Sequence, residues 1–253
     1  MRGVILAAGA GTRLNVQEPP RPKCTLTFAG APLIQLQLRA LRACGIDDVT
    51  VVVGFEPDRV RLACGPGVRF IENSRFAQTN SLYSLSLARP VLKDGFVVMN
   101  CDVLFHPAML SDLLGARHRD ALLVAYPQEG DPPFGDEEMK VQVRRGRVVD
   151  MGKDLPPDAI DGENVGIAKF SASGALSLIA AIDRRLDSGS RRDWAPRAFA
   201  DFAREEALYA IGTRGLPWTE IDTADDYRHA STVVFPAIHD AIEELSPTVR
   251  WRA

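Results

Sequence analysis

The chain has 253 residues, 46% of them hydrophobic and 25% charged, which suits one large α/β domain with a sizeable core. A formal net charge of -3 gives no global basic field and argues against extended contact with nucleic acid or an anionic membrane. No run reaches the ~20 apolar residues needed to span a bilayer, and Cys24, Cys44, Cys64 and Cys101 lack C-x-x-C spacing. The expectation is a cytoplasmic protein with reduced, mostly buried thiols.

The chain opens on an apolar strand, Val4 to Leu6, that breaks into Ala7-Ala8-Gly9-Ala10-Gly11-Thr12-Arg13-Leu14. Glycines after a strand let the backbone turn tightly with several N–H groups pointing one way, a nest suited to anionic oxygens. Arg13 adds a fork of donors, and Lys23, after Pro22, adds a mobile point charge. Leu14 stands where a dinucleotide fingerprint needs its third Gly or Ala, and no G-x-x-x-x-G-K-[ST] occurs, so neither a dinucleotide site nor a P-loop is indicated. Between loop and lysine the stretch Asn15 to Pro22 is rich in proline.

Pro32 to Leu41 has apolar residues at helical spacing and stops at Gly45; Val49 to Val53 is a buried strand, Pro57 to Ala63 a helix, and Val68 to Ile71 a short strand. Asn80 caps a predicted helix over Ser81 to Ala88, which Pro90 ends. Phe96 to Asp102 is a strand carrying an acid at its C-terminal end. Strands alternating with helices imply a parallel sheet, and ligands of open α/β sheets bind beyond the carboxyl ends of the strands. The Gly9 to Arg13 loop and Asp102 are therefore expected to share a crevice.

The second half reads differently. Ala121 to Tyr126 continues the sheet, Gln128 to Glu138 is a polar loop, and Met139 to Val143 and Val148 to Met151 flank a turn at Arg145-Gly146 as an antiparallel hairpin. A further loop leads into a strand over Asn164 to Phe170. Ala175 to Leu186 and Trp194 to Ala203 read as helices, and Ala207 to Ile211 as a strand. Asp222 directly precedes a helix that Thr223 caps with Asp226 in the capping-box position. The four histidines suit surface or capping roles.

The string L-A-A-G-x-G-x-R-L with the following Pro-Lys resembles the signature of nucleoside-diphosphate-sugar pyrophosphorylases and related nucleotidyltransferases. Asn73 to Leu85, Glu137 to Val143, Met151 to Asp154, Gly162 to Ser171 and Trp218 to Tyr227 resemble the phosphocholine cytidylyltransferase branch of that family. The resemblance implies a doubly wound, mostly parallel, Rossmann-like α/β sheet of the GT-A type, with an inserted antiparallel hairpin lobe for the acceptor. It further implies a single domain over 1–230, divided into a nucleotide-binding half (1–126) and an acceptor-binding lobe (127–230), and then a helical tail (231–253).

By the same resemblance the reaction is Mg2+-dependent transfer of CMP from CTP to a small phosphorylated or phosphonylated alcohol or amine, with release of pyrophosphate. Asp102 and Asp222 are the expected metal ligands. Arg13 and Lys23 are the catalytic, phosphate-binding cations, and Leu6, Ala7, Ala8, Gly9, Gly11, Thr12, Asn80 and Ser81 complete the nucleotide site. Lys140, Glu163, Asn164, Trp194 and Trp218 are the acceptor candidates, with Tyr83 and Asp193 as further members of an aromatic and acidic cage for a cationic headgroup. A sugar-1-phosphate nucleotidyltransferase using UTP, dTTP or GTP, and a catalytically silent nucleotide-sensing module, are the alternatives. The expected partners are small-molecule substrates, with no nucleic acid and no membrane span, in a monomer or homodimer.

Overall fold

In the computed structural model, which describes residues 1–14 and 20–245, the first apolar run is strand β1 (Arg2–Ala7). A 3-10 turn (Lys23–Thr25) leads to the short ladder β2 (Thr27–Phe28) with β3 (Ala31–Pro32), and then to α1 (Leu33–Ala43). Next come β4 (Val49–Val53), α2 (Pro57–Cys64), β5 (Arg69–Glu72), α3 (Ser81–Leu87), α4 (Arg89–Leu92), β6 (Phe96–Asn100), β7 (Val103–Phe105) and α5 (Pro107–Gly115). The second half supplies β8 (Ala121–Ala125), the hairpin β9 (Lys140–Arg144) and β10 (Arg147–Gly152), β11 (Gly162–Phe170), α6 (Ala172–Asp187) and α7 (Ala195–Glu205). It ends with β12 (Tyr209–Gly212), β13 (Trp218–Glu220), α8 (Ala224–His229) and α9 (Phe235–Glu243). Residues 15–19 of the proline-rich stretch and 246–253 of the expected tail lie outside the described residues.

Nine strands form one sheet in the order β5-β4-β1-β6-β11-β8-β12-β10-β9. The first four run parallel. Two later strands, β4 and β5, lie on one side of β1 and β6 lies on the other, so the strand order reverses between β1 and β6. That reversal is the switch point where open α/β sheets bind ligands. The glycine loop follows β1 and Asp102 follows β6, so both open onto it. β11 runs antiparallel between β6 and β8, and the β9–β10 hairpin extends the same sheet through pairings with β11 and β12.

Alternation along β1 divides the core. Val4, Leu6 and Ala8 face the layer that includes α3, α6 and α7, whereas Ile5 and Ala7 face α1, α2 and α5. On the first face Phe170 stacks on Phe96 at 5.4 Å and meets Phe202 edge-on at 5.3 Å, which fixes β11 to its neighbours. A third apolar cluster joins Leu14, Phe28, Leu104, Ile221, Ile238 and Ile242, so α9 packs beneath the loops that carry the site. No helix among the described residues is long and apolar enough to cross a membrane.

Two local departures have simple causes. The helix from Ser81 ends at Leu87, ahead of Pro90 as expected, but Pro90 also occupies the first turn of a short second helix, α4, where its missing N–H costs nothing. The strand expected to run to Asp102 stops at Asn100, and the chain turns into β7, which pairs with β13. That second ladder draws the distant Glu220 and Asp222 towards Asp102.

Candidate active site

Four sequence segments meet at the reversal of the sheet. Gly11 has φ +59, and a Cβ there would stand 2.9 Å from the Lys23 side chain, so this position needs glycine on both counts. Leu14 N–H closes the turn on the Gly11 carbonyl at 3.0 Å. Lys23 begins the 3-10 turn after Pro22, held by the Thr25 hydroxyl donating to the Pro22 carbonyl at 2.7 Å. Asp102 accepts the Ile221 N–H on its backbone carbonyl at 2.9 Å, and the Asp222 N–H donates to Asp226 at 3.0 Å. The Thr223–Asp226 capping box is present as expected.

Lys23 Nζ lies 3.0 Å from Asp102 Oδ2 and also bonds Asp222. Its side chain is 11% exposed, and burial alone would lower its pKa. The two carboxylates outweigh that and raise it. Arg13 spans the cleft, donating to Asp222 at 3.0 Å and to Glu137 at 2.8 Å. Lys153 also bonds Glu137, at 2.7 Å.

A third acid, Glu220, completes a triad with Asp102 and Asp222 whose carboxylate oxygens all lie within 4.8 Å of one another. Burial, reinforced by the charges of Asp102 and Asp222, pushes the Glu220 carboxyl up to about 8. The three acids present closely grouped oxygen donors, an arrangement that suits a hard divalent cation. Glu220 escaped the sequence reading although it lies two residues before Asp222. The signal was the strand-like alternation of Trp218, Glu220 and Asp222, which puts alternate residues on one side.

The main cleft has a volume of about 320 Å³. Leu6, Ala8, Gly9, Gly11, Thr12 and Arg13 line it from the first loop, with Lys23, Asn80, Ser81, Asp102 and Asp222 opposite. Ala7 does not line it, because β1 alternation turns it into the core at 1% exposure. A second cavity, of about 450 Å³, shares Arg13, Glu220 and Asp222 with the first and receives Glu163 and Trp218.

The other acceptor candidates are placed differently. Trp194 lines the main cleft, and Lys153 Nζ lies over its ring at 5.0 Å. Lys140 is buried and donates to the Lys153 carbonyl at 2.6 Å, and buried Asn164 accepts the Gly166 N–H at 3.2 Å. The first bond ties β9 to the end of β10, the second lies within β11, and neither residue lines either cavity. Tyr83 lies under Arg75, and Asp193 is paired with Arg185 at 2.7 Å. His106 caps α5 and His118 stacks on Tyr209, both outside the cleft.

Comparisons with known proteins identify the family. The bifunctional IPC transferase and DIPP synthase of Rubrobacter xylanophilus is 32% identical over 235 residues, 91% of this chain and 51% of its own length. The chain thus spans about half of that relative. The choline-phosphate cytidylyltransferase of Streptococcus pneumoniae is 27% identical over 241 residues, covering 92% of this chain and 98% of the relative. Among solved structures, the CTP:phosphocholine cytidylyltransferase from Streptococcus pneumoniae matches with a TM-score of 0.77 at 26% identity, over 91% of this chain and 97% of that one. The family model described as the MobA-like NTP transferase domain matches residues 3–200. That span takes in the glycine loop, Lys23 and Asp102 together with most of the sheet that positions them, and the chain therefore belongs to the family of MobA-like NTP transferase domains.

Proposed function

We propose that the chain is a Mg2+-dependent cytidylyltransferase that joins CMP from CTP to a small phosphorylated or phosphonylated alcohol or amine and releases pyrophosphate. The observation that carries the reading is the Asp102, Glu220 and Asp222 triad at the reversal of the sheet beside Lys23 and Arg13. Its donors are all carboxylate oxygens, the type Mg2+ prefers. Bound there, the ion would neutralise charge where two polyanions must approach. The relatives named for cytidylyl transfer support CTP as the nucleotide.

The protein's own residues then have separable tasks. Backbone N–H groups of the glycine loop and the Arg13 guanidinium receive the triphosphate, and Lys23 supplies charge to the leaving pyrophosphate. Asn80 and Ser81 offer polar groups to the base, with Leu6 and Ala8 as an apolar floor. An acceptor phosphate oxygen attacks the α-phosphorus in line; the bond to the β-phosphate oxygen breaks and pyrophosphate departs from the opposite side. A phosphomonoester has a second pKa of about 6, so the nucleophile is already ionised near pH 7 and no general base is needed.

A pyrophosphate-release matrix of CTP, UTP, dTTP and GTP against phospho-alcohols, phospho-amines, phosphonates and hexose 1-phosphates, with Mg2+, tests the reading. Release that requires CTP and a non-sugar acceptor is the expected result. Release only with a sugar 1-phosphate and another nucleotide would transfer the assignment to sugar-nucleotide synthesis, and silence throughout would refute catalysis.

A further inference from the structure

A helix residue outside the cleft holds the corner that carries Asp102. β6 belongs to the nine-stranded sheet and β7 to the small ladder with β13, so the chain changes sheet within Cys101 and Asp102. Asp102 therefore sits on a corner rather than on a strand, and the direction of its carboxylate depends on what fixes that corner. Ile221 holds one side, its N–H donating to the Asp102 carbonyl at 2.9 Å. Gln37 holds the other. Its Nε2 donates to the carbonyl of Asn100, before the corner, and to the carbonyl of Val103, after it, each at 2.9 Å.

The amide is placed for its donors alone. Both partners are carbonyl oxygens, so only the NH2 end can face them. The other end, Oε1, is buried and has no hydrogen-bond partner among the described residues. An acceptor left desolvated and unpaired costs stability, a cost that an apolar side chain of the same length would avoid. Gln37 is 1% exposed and is the one polar residue among the buried residues of α1. Its helix is anchored twice: Ile34, Leu38 and Leu41 pack in the core of the main sheet, and Leu33 and Leu36 pack in the cluster that includes Ile221. A well-packed helix thus presents one two-pronged donor to both ends of the turn. Gln35 on the same helix makes a comparable bond, to the Ala63 carbonyl at 3.0 Å, but on α2, which contributes no residue to either cavity.

We infer that Gln37 is a positioning residue for the metal site: by tying Asn100 to Val103 it sets the Asp102 carboxylate beside Glu220 and Asp222. The inference rests on the Mg2+-dependent reading and adds to it a residue that lines neither cavity. Replacing residues that orient metal ligands typically changes metal affinity by ~10- to 100-fold.

The test is direct binding of Mn2+, a spectroscopic substitute for Mg2+, followed by electron paramagnetic resonance with nucleotide absent. Gln37→Met removes both donors and keeps the length, and Gln35→Met is the control for loss of an amide bond on the same helix. Kd for Mn2+ is expected to rise ~10-fold or more in Gln37→Met and to stay at the wild-type value in Gln35→Met, whatever either change does to Tm. In pyrophosphate release, the Mg2+ concentration for half-maximal rate should rise by a similar factor, with most of kcat recovered at saturating Mg2+. Wild-type Mn2+ affinity in folded Gln37→Met would overturn the inference and leave the triad standing. An equal loss in Gln35→Met would reduce the effect to general packing and overturn it too. If Gln37→Met does not fold, Gln37→Leu is measured in its place, and failure of both makes Gln37 a structural residue, which also overturns the inference. A wild-type protein that binds no Mn2+ would refute the metal site and this inference with it.

Discussion

Glu163→Gln should make the ligand-free protein more stable at alkaline pH and leave it nearly unchanged at acid pH. The folded carboxyl titrates near 7 against a usual 4.5, mainly because burial on β11 disfavours its charge and Glu138 adds repulsion. Between those two values the folded chain binds more protons than the unfolded one, so stability falls as pH rises and the loss is complete above about 7. At ~1.4 kcal/mol for each pH unit, the gap puts ~3 kcal/mol at stake as an upper bound. The amide keeps the shape and removes the charge. At ~2 to 4 °C for each kcal/mol in a chain of this size, Tm should rise by several degrees at pH 8.5 and by little at pH 5. Calorimetry of both proteins at the two pH values, with metal and nucleotide absent, reads this directly. Comparison with the variant isolates Glu163 from Glu220, whose carboxyl is displaced in the same direction. An equal difference at both pH values, or a variant less stable at pH 8.5, would refute the reasoning.

Lys23→Ala removes the ammonium shared by Asp102 and Asp222, so pyrophosphate release should be lost and Tm should fall when divalent metal is chelated, by the equivalent of ~2 kcal/mol. Adding Mg2+ should restore most of that Tm, and a variant indifferent to the metal would count against the triad as its site. Asp102→Asn is expected to cut kcat by ~10² or more with an unchanged circular-dichroism spectrum; retention of wild-type kcat would remove Asp102 from the site. Thr223→Ala deletes half of the capping box and should cost ~1 kcal/mol in urea denaturation, with a modest loss of activity because the same box positions Asp222.

The parts of the site that follow strands were legible in the sequence. An apolar run ending in glycines, and another ending in Asp102, point to the same edge of a parallel sheet, and the fold brings both to the reversal between β1 and β6. Asp222 was recognisable from its position before a capped helix. Glu220 was not, because its placement depends on β7, a strand of three residues that follows directly on what reads as the end of β6. Lys140 and Asn164 show the opposite failure. The resemblance named both as acceptor residues, whereas here each side chain bonds a backbone group of its own strands and faces neither cavity. Trp194 and Tyr83 had the composition of a cation cage, but the cations over their rings come from Lys153 and Arg75, residues that no local pattern links to them.

Arg13 lines both cavities, and under the proposed reaction this would couple the two substrates. In the free protein its guanidinium divides between Asp222 and Glu137, so it neutralises part of the acceptor cavity. A guanidinium that turns to the triphosphate surrenders Glu137 and leaves that cavity more negative. A cationic acceptor would then bind more tightly after the nucleotide than before it, and reciprocity requires the acceptor to tighten nucleotide binding by the same factor. One arginine would thereby impose an order of addition, nucleotide first, on two molecules that never compete for the same space.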